Sequence, residues 1–152
     1  MPTDAALLAE VPFFSLLDEQ ERADLATQLD VVNFTAGQMI FNYGDPGGAL
    51  YVIRSGEAEV FFKNDTGERI VLETPAAGDF FGELSLLDNG PRTASVLATQ
   101  DMEALRVDRN DLDYLFHGHP DAALDLLTAM GRRMRKTTEL LRHTATRNVN
   151  VE

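Results

Sequence analysis

The residue types best suited to ligand chemistry lie together in residues 80–96, which read FFGELSLLDNGPRTASV. Glu83 offers carboxylate oxygens that accept hydrogen bonds from hydroxyl groups, and Arg92 offers a planar, permanently charged fork that suits phosphate oxygens. Gly82 lets a backbone come close to a ligand because it has no Cβ. Residues 83–87 can form one helical turn, whose free N–H groups attract an anion. This stretch therefore predicts a cradle for a phosphate beside a sugar hydroxyl.

The same stretch resembles the phosphate-binding cassette of the cyclic nucleotide-binding domain family. The family pattern is Phe-Gly-Glu-(Leu/Ile)-(Ala/Ser)-Leu, a short spacer and Arg-(Ala/Thr/Ser)-Ala-(Ser/Thr)-Val, and residues 81–86 and 92–96 match every position. The resemblance implies that Glu83 binds the ribose 2′-hydroxyl of a cyclic nucleotide and that Arg92 binds its cyclic phosphate. The remaining ligand-binding positions implied by the cassette are Phe81, Gly82 and Leu84, with N–H groups of Ser85, Thr93 and Ala94 assisting the arginine. The alternative is an ordinary surface Glu–Arg pair on a β-hairpin.

Composition narrows the class of protein. The chain has 152 residues, a hydrophobic content of 44% and no cysteine, which indicates one globular domain without disulfides or thiolate metal sites. No apolar run approaches the ~20 residues of a membrane span and the N-terminus lacks a signal-peptide core, so we expect a soluble cytoplasmic protein without membrane contact. The formal net charge of −12 argues against nucleic-acid binding, because phosphate backbones need a basic surface.

Short strands separated by glycine-rich turns dominate the middle of the chain. Such a texture predicts a mainly β fold with flanking helices, in which a double-stranded β-helix or jelly-roll barrel of about eight strands forms the centre. The glycine spacing through this region also resembles the same family. The predicted strands are 31–34, 39–42, 49–53, 57–63, 68–73, 79–81, 93–98 and 102–107.

Helix signals flank this barrel on both sides. Asp18 and Glu21 have the spacing of a capping box, and Asp108 can cap a helix over 109–117. A last, long helix is predicted from about 120 to 145. We therefore expect residues 1–152 to form a single cyclic nucleotide-binding domain, made of a helical part (1–30), a β-barrel (31–108) and C-terminal helices (109–146).

The long helix carries a pattern typical of helix pairing. Six residues follow alternating spacings of three and four, which predicts a seam for a homodimer: Leu127, Met130, Met134, Thr137, Leu141 and Thr144. Residues 130–138 also resemble the dimer helix of the catabolite activator group of the family. That resemblance implies that Thr137 and Thr138 bind the adenine amino edge and that Arg133 lies near Glu83 and the ligand. A surface-exposed threonine pair is the alternative.

The identity of the nucleotide rests on few residues. Val71 and Leu72 are expected to form a pocket wall against the sugar and base, although both can equally fill the barrel. In some relatives a threonine at the position of Thr93 favours guanine, whereas the hydroxyl pair Thr137 and Thr138 favours adenine. We expect cAMP first and cGMP second, with no cofactor besides this ligand.

Two other classes of protein remain open. A metal enzyme on a similar barrel needs several histidines on its strands, but His117, His119 and His143 all lie in the helical part; we expect no metal, no catalytic residues and no enzymatic activity. A barrel that binds nothing and serves as a dimerisation module of a larger signalling protein is the second alternative. Transcription factors of the family that this sequence resembles continue after the long helix into a helix-turn-helix, for which the sequence ends too early; it is therefore either a stand-alone sensor or a fragment whose effector domain is absent, and the abrupt ending favours the fragment.

Overall fold

The computed structural model describes residues 3–83, Ser85 and residues 90–149, with side chains as far as Arg142. The strands are β1 (Asp30–Phe34), β2 (Met39–Phe41), β3 (Ala49–Ser55), β4 (Ala58–Lys63), β5 (Arg69–Glu73), β6 (Phe80–Phe81), β7 (Ser95–Ala98) and β8 (Met102–Asp108). The helices in these ranges are α1 (Asp4–Ala9), α2 (Glu19–Gln28), α3 (Arg109–Gly118) and α4 (Asp121–Val149).

Two antiparallel sheets of four strands form the barrel. The first sheet has the order β1-β8-β3-β6, and the second has the order β2-β7-β4-β5. Neighbours in the chain often lie in different sheets, as they do in a jelly roll. The predicted mainly β fold with flanking helices is confirmed.

The first sheet separates two apolar cores. Leu50, Val52 and Phe80 face the helices α1 to α4, whereas Tyr51 and Phe81 face the space between the two sheets. This division follows from the alternation of side chains along a strand, which sends neighbouring residues to opposite faces. The short strand β6 thus contributes one phenylalanine to each core.

The helix starts follow the predicted capping signals. Asp18 accepts a hydrogen bond from the Glu21 amide at 2.7 Å, while Glu21 Oε1 accepts one from the Asp18 amide at 3.0 Å. Asp108 and Asp111 form the same reciprocal pair at the start of α3. Each box satisfies N–H groups that a helix end leaves unpaired.

The outward face of α4 differs from the predicted seam. Met130 and Thr137 are partly buried and line a cavity against the barrel, whereas Met134 and Leu141 reach this cavity but are exposed, and Leu127 is exposed outside it. The predicted seam therefore combines residues of two faces. Met130 and Thr137 are set apart from the exposed face because the barrel lies on their side of the helix.

A different set with the same alternating spacing is exposed along its whole length, and we call it the outer seam: Leu124, Leu127, Gly131, Met134, Thr138 and Leu141. Leu127, Met134 and Leu141 belong to both the predicted seam and the outer seam. Because they repeat every seven residues, they can form a seam with the residues on either side of them along the helix. Thr144, the last predicted member, has a side chain outside the described residues.

Two further observations bear on the predictions. β7 begins at Ser95, two residues later than predicted, so Thr93 and Ala94 precede its ladder. None of the described helices combines the length and the apolar character that crossing a bilayer requires.

Candidate functional site

A cavity of about 470 Å³ opens between the second sheet, the 80–96 stretch and α4. This volume falls within the range of small-molecule sites. Met134 and Leu141 of the outer seam are among the apolar residues of the second sheet and of α4 that line it: Phe41, Val60, Phe62, Val96, Met130, Met134 and Leu141. The sequence predictions that line the same cavity are Leu72, Phe81, Gly82, Glu83, Ser85, Arg92, Thr93, Ala94, Arg133, Thr137 and Thr138.

Two predicted residues are not part of this lining. Val71 lies on the outer face of β5 with 37% of its surface exposed, so its expected place in the pocket wall is wrong. Its neighbour Leu72 does line the cavity, because adjacent strand residues point to opposite faces. Leu84 lies outside the described residues.

Arg92 is the most deeply enclosed charge of the cavity. The residue is only 4% exposed, Nη1 donates to the Gly82 carbonyl at 3.0 Å, and Nη2 donates to the Ala49 carbonyl at 2.9 Å. The guanidinium also lies over the Phe41 ring at 4.0 Å from its centroid. Strands of both sheets therefore fix its position.

No carboxylate among the described residues forms an ion pair with Arg92, and its buried Nε has no hydrogen-bond partner there. Burial lowers the pKa of Arg92 from its ordinary value; Tyr51 opposes this effect, Arg106 adds to it, and Asp45 and Glu83 also oppose it. A buried cation without a countercharge is costly. An anion in the cavity would supply both the missing charge and the missing acceptor.

Glycine is required where the backbone passes this guanidinium. Gly82 has a φ of +90°, and a Cβ on it would lie 2.7 Å from Arg92 Nη1. Gly47 is confined in a similar way, since its Cβ would lie 2.1 Å from Ser85 Cβ. The Ser85 hydroxyl in turn donates to the Pro91 carbonyl at 2.9 Å. Close backbone contacts thus hold both ends of the predicted cradle together.

Arg133 reaches into the cavity from α4 and joins this helix to the barrel. Its Nη1 donates to Glu83 Oε1 at 3.0 Å, and its Nη2 donates to the Phe80 carbonyl. The guanidinium also lies over the Phe80 ring at 4.0 Å. The predicted proximity of Arg133 and Glu83 is therefore found, and we call this arrangement the Arg133 clamp.

Glu73 is a cavity residue that the sequence prediction did not include. It ends β5, and its Oε1 lies 3.6 Å from Arg133 Nε. Burial raises the pKa of the Glu73 carboxyl, an effect that Arg133 opposes and the Glu83 charge reinforces. A polar residue at the end of a strand that leads towards a predicted ligand loop was the available signal. Among the described residues, no cluster of histidine, aspartate and glutamate is suited to a metal ion.

Residues 31–119 match the family model described as cyclic nucleotide-binding domain. This match covers more than half of the 152 residues and includes the glutamate, the arginine and the barrel that carries them. The chain belongs to the cyclic nucleotide-binding domain family.

Relatives of known role share this cyclic nucleotide-binding domain. A cAMP-dependent protein kinase regulatory subunit of Aspergillus fumigatus is 46% identical over 105 residues, which are 69% of this chain and 25% of that protein. A CRP-like cAMP-activated global transcriptional regulator of Mycobacterium tuberculosis is 33% identical over 135 residues, which are 89% of this chain and 60% of that protein.

The fold has solved counterparts as well. The catabolite activator protein of Thermus thermophilus superposes with a TM-score of 0.78 at 33% identity, and the match covers 88% of this chain and 63% of that chain. This chain thus spans a quarter of the kinase regulatory subunit and less than two thirds of the transcriptional regulator and of the catabolite activator protein. The kinase subunit and the mycobacterial protein are both named as regulators.

Proposed function

We propose that this domain is a sensor of a cyclic purine nucleotide, with cAMP as the first candidate and cGMP as the second. The observation that carries the proposal is Arg92, a buried guanidinium whose partners are neutral and whose Nε donor has no partner among the described residues. A cyclic phosphate carries one negative charge, so it would neutralise Arg92. N–H groups of Ser85, Thr93 and Ala94 would bind the remaining phosphate oxygens.

Glu83 would accept the ribose 2′-hydroxyl in the same cavity. A carboxylate has about four lone-pair sites, and Arg133 uses one oxygen, Oε1. The other oxygen therefore remains for the sugar, so the ligand need not displace the Arg133 clamp. Leu72 and Met134 would pack on the sugar and base, and each buried side chain contributes about 1–2 kcal/mol.

The base would lie against α4. Thr137 is half-buried on the cavity face, and Thr138 stands where the cavity meets the outer seam. Hydroxyl groups both donate and accept, so this pair suits the adenine amino edge. The relatives named as cAMP-dependent or cAMP-activated give the same order of preference, cAMP before cGMP.

The response would travel through α4 to a second copy of the chain. The outer seam leaves apolar side chains of Leu124, Leu127 and Met134 exposed, and a paired helix would cover them. Ligand can shift such an assembly only if it binds two helix positions with different affinity. Contacts from Thr137 and Arg133 on α4 to the ligand provide that difference.

The wider context of the domain forms part of the proposal. We take residues 1–152 as one cytoplasmic regulatory domain of a larger protein, in which a separate effector domain would produce the response. Its role is binding and signalling rather than catalysis, without direct contact with nucleic acid or membrane.

Isothermal titration calorimetry with cAMP and cGMP tests the proposal directly. We expect both to bind, cAMP more tightly, and Arg92→Ala to weaken cAMP by about 1.5–3 kcal/mol or more, which is roughly 10- to 150-fold in Kd. Arg132→Ala, an exposed arginine on α4, is the matched control and should bind like the parent. Absence of heat and of thermal shift at millimolar nucleotide would favour the non-binding dimerisation module instead.

A further inference from the structure

Glu73 owes its place in the cavity to an irregularity of β5. Val60 pairs with Glu73 and Phe61 pairs with Val71, so residues 71–73 of β5 lie opposite two residues of β4. Such a bulge interrupts the alternation of side chains and re-aims one of them. Leu72 and Glu73, although adjacent, therefore both line the cavity.

The Glu73 carboxylate is enclosed but weakly bonded. Its side chain is 20% exposed, and its contact in the described part of the chain is the 3.6 Å approach to Arg133 Nε. The same guanidinium makes the shorter 3.0 Å bond to Glu83. Two carboxylates thus share one arginine, and Glu83 has the better geometry of the two.

The charged groups that face Glu73 come from three elements. Arg133 and Lys136 on α4 attract its charge, while Glu83 in the cassette and Asp79 before β6 repel it. Burial outweighs the attraction, so the pKa of the Glu73 carboxyl lies above its ordinary value before any ligand enters. Burial and the neighbouring carboxylates therefore favour the protonated form of Glu73.

The charges in the cavity balance without a ligand. Arg92 and Arg133 carry one positive charge each, and Glu73 and Glu83 carry one negative charge each. An entering phosphate monoanion leaves one negative charge in excess. At the separations within one cavity, and with part of the water excluded, this excess repels the less well-bonded carboxylate.

We propose that Glu73 sets the affinity of this cavity for its anion: it takes up a proton as the nucleotide phosphate enters, so that the affinity rises as the pH falls. This inference rests on the proposed function. Glu83 bonds to Arg133 at 3.0 Å and, in this proposal, to the sugar hydroxyl, whereas Glu73 makes only the 3.6 Å approach to Arg133. Glu73 acts on the anion through the electrostatic field of its own charge and through its contact with Arg133. It is therefore a residue that positions Arg133 and tunes the affinity of the ligand site.

The sign of the pH dependence follows from linkage. The ligand anion raises the pKa of Glu73 in the complex above its value in the free chain. Affinity is then highest below the free-chain pKa, decreases as the pH rises towards the pKa of the complex, and is lowest above both. Proton uptake is greatest between the two pKa values.

Glu73→Gln removes the charge and keeps the size of the side chain. We expect this variant to bind cAMP about three- to tenfold more tightly than the parent at pH ~8, since one repulsive charge is gone. Its affinity should no longer depend on pH between about 5 and 8, and its binding should take up no proton. Glu68→Gln, the same change at an exposed turn residue, should keep the parental affinity and pH profile.

Calorimetry of cAMP in two buffers with different ionisation enthalpies, repeated at each pH, measures both affinity and proton uptake. An equal or weaker affinity of Glu73→Gln at pH ~8, or a pH profile equal to the parent's, would overturn the inference. If the parent binds cAMP with no proton uptake, the inference alone fails. If neither nucleotide binds the parent, the proposed function fails and the inference with it.

Carbon-13 NMR of the glutamate carboxyl groups tests the parent without any substitution. We expect the Glu73 resonance to titrate at a higher pH with cAMP bound than without it. An unchanged titration midpoint in the saturated complex would contradict proton uptake at this residue.

Discussion

Arg92 and Arg133 enter the same cavity and are held in opposite ways. Each guanidinium lies 4.0 Å from the centroid of a phenylalanine ring, Phe41 for Arg92 and Phe80 for Arg133. Arg92 is 4% exposed and donates to two backbone carbonyls. Arg133 has a side chain that is 23% exposed and lies between two carboxylates.

This difference means that the charge of Arg92 is available to a ligand, whereas the charge of Arg133 is already neutralised by carboxylates. Carbonyl dipoles and a ring face orient a cation without cancelling its charge, so Arg92 remains able to bind an anion. The two carboxylates beside Arg133 cancel most of its field, and its bonds mainly join α4 to the barrel. Two arginines of one pocket therefore have different tasks, which substitutions can tell apart.

The largest expected difference between the two arginines comes from replacing each of them by lysine. Lysine keeps the charge but loses the planar fork, so Arg92→Lys loses the two carbonyl bonds that aim the cation. We expect about tenfold weaker cAMP binding or more for Arg92→Lys, and roughly threefold for Arg133→Lys. Calorimetry of both variants measures the contrast; equal losses would mean that the two arginines share one task.

The backbone beside Arg92 offers the next test. Gly82→Ala places a side chain at a φ of +90° and 2.7 Å from Arg92 Nη1, which we expect to lower the free energy of unfolding by about 1–3 kcal/mol and to weaken cAMP binding. Gly48→Ala is the matched control, because its Cβ meets nothing within 4 Å and its φ is not positive. Urea unfolding and calorimetry give the two quantities. A Gly82→Ala variant as stable as Gly48→Ala would contradict the close approach.

Arg133→Gln tests the clamp rather than the ligand contact. The substitution removes the guanidinium that lies between Glu83 and Glu73, so we expect a loss of about 1 kcal/mol in stability. Amide hydrogen exchange should increase in the middle of α4 and stay unchanged in the buried strand β8. Uniform exchange changes across both elements would show that Arg133 supports the whole fold instead.

The smallest effect concerns the base. Thr137→Val combined with Thr138→Ala removes both hydroxyls, and we expect cAMP binding to weaken by about 0.5–1.5 kcal/mol, more than cGMP binding. Parallel titrations with the two nucleotides measure the difference. Equal losses for both would dissociate these hydroxyls from the base edge.

The sequence predicted the barrel well because its turns are marked by residues with backbone consequences. Glycine, proline and asparagine delimit the strands, and the predicted bounds of β1 to β8 differ from the observed ones by at most two residues. The capping boxes at Asp18 and Asp108 were visible for the same reason, since a cap is a local hydrogen-bond pattern. Glu83 and Arg92 were found together because their loop is continuous in the chain.

The residues that the sequence predictions placed wrongly or left out depend on contacts between distant elements. The exclusion of Val71 and the inclusion of Glu73 both follow from the pairing of β5 with β4, whose bulge leaves no mark in composition. The row Leu127, Met134 and Leu141 fits two seams equally well, and the barrel on one side of α4 decides between them. Local patterns fix an element, whereas the face that an element buries depends on its neighbours.

Phe80 and Phe81 give the molecule a very short route between its two interiors. Phe81 lines the cavity. The centroid of the Phe80 ring lies 5.0 Å from that of Phe13 under the N-terminal helices, and the Arg133 guanidinium lies over the Phe80 ring. Both residues belong to the two-residue strand β6, whose backbone pairs with Tyr51 and Val52 of β3. A displacement of this strand as a unit would move both rings together, so the cavity and the packing under the N-terminal helices share one element.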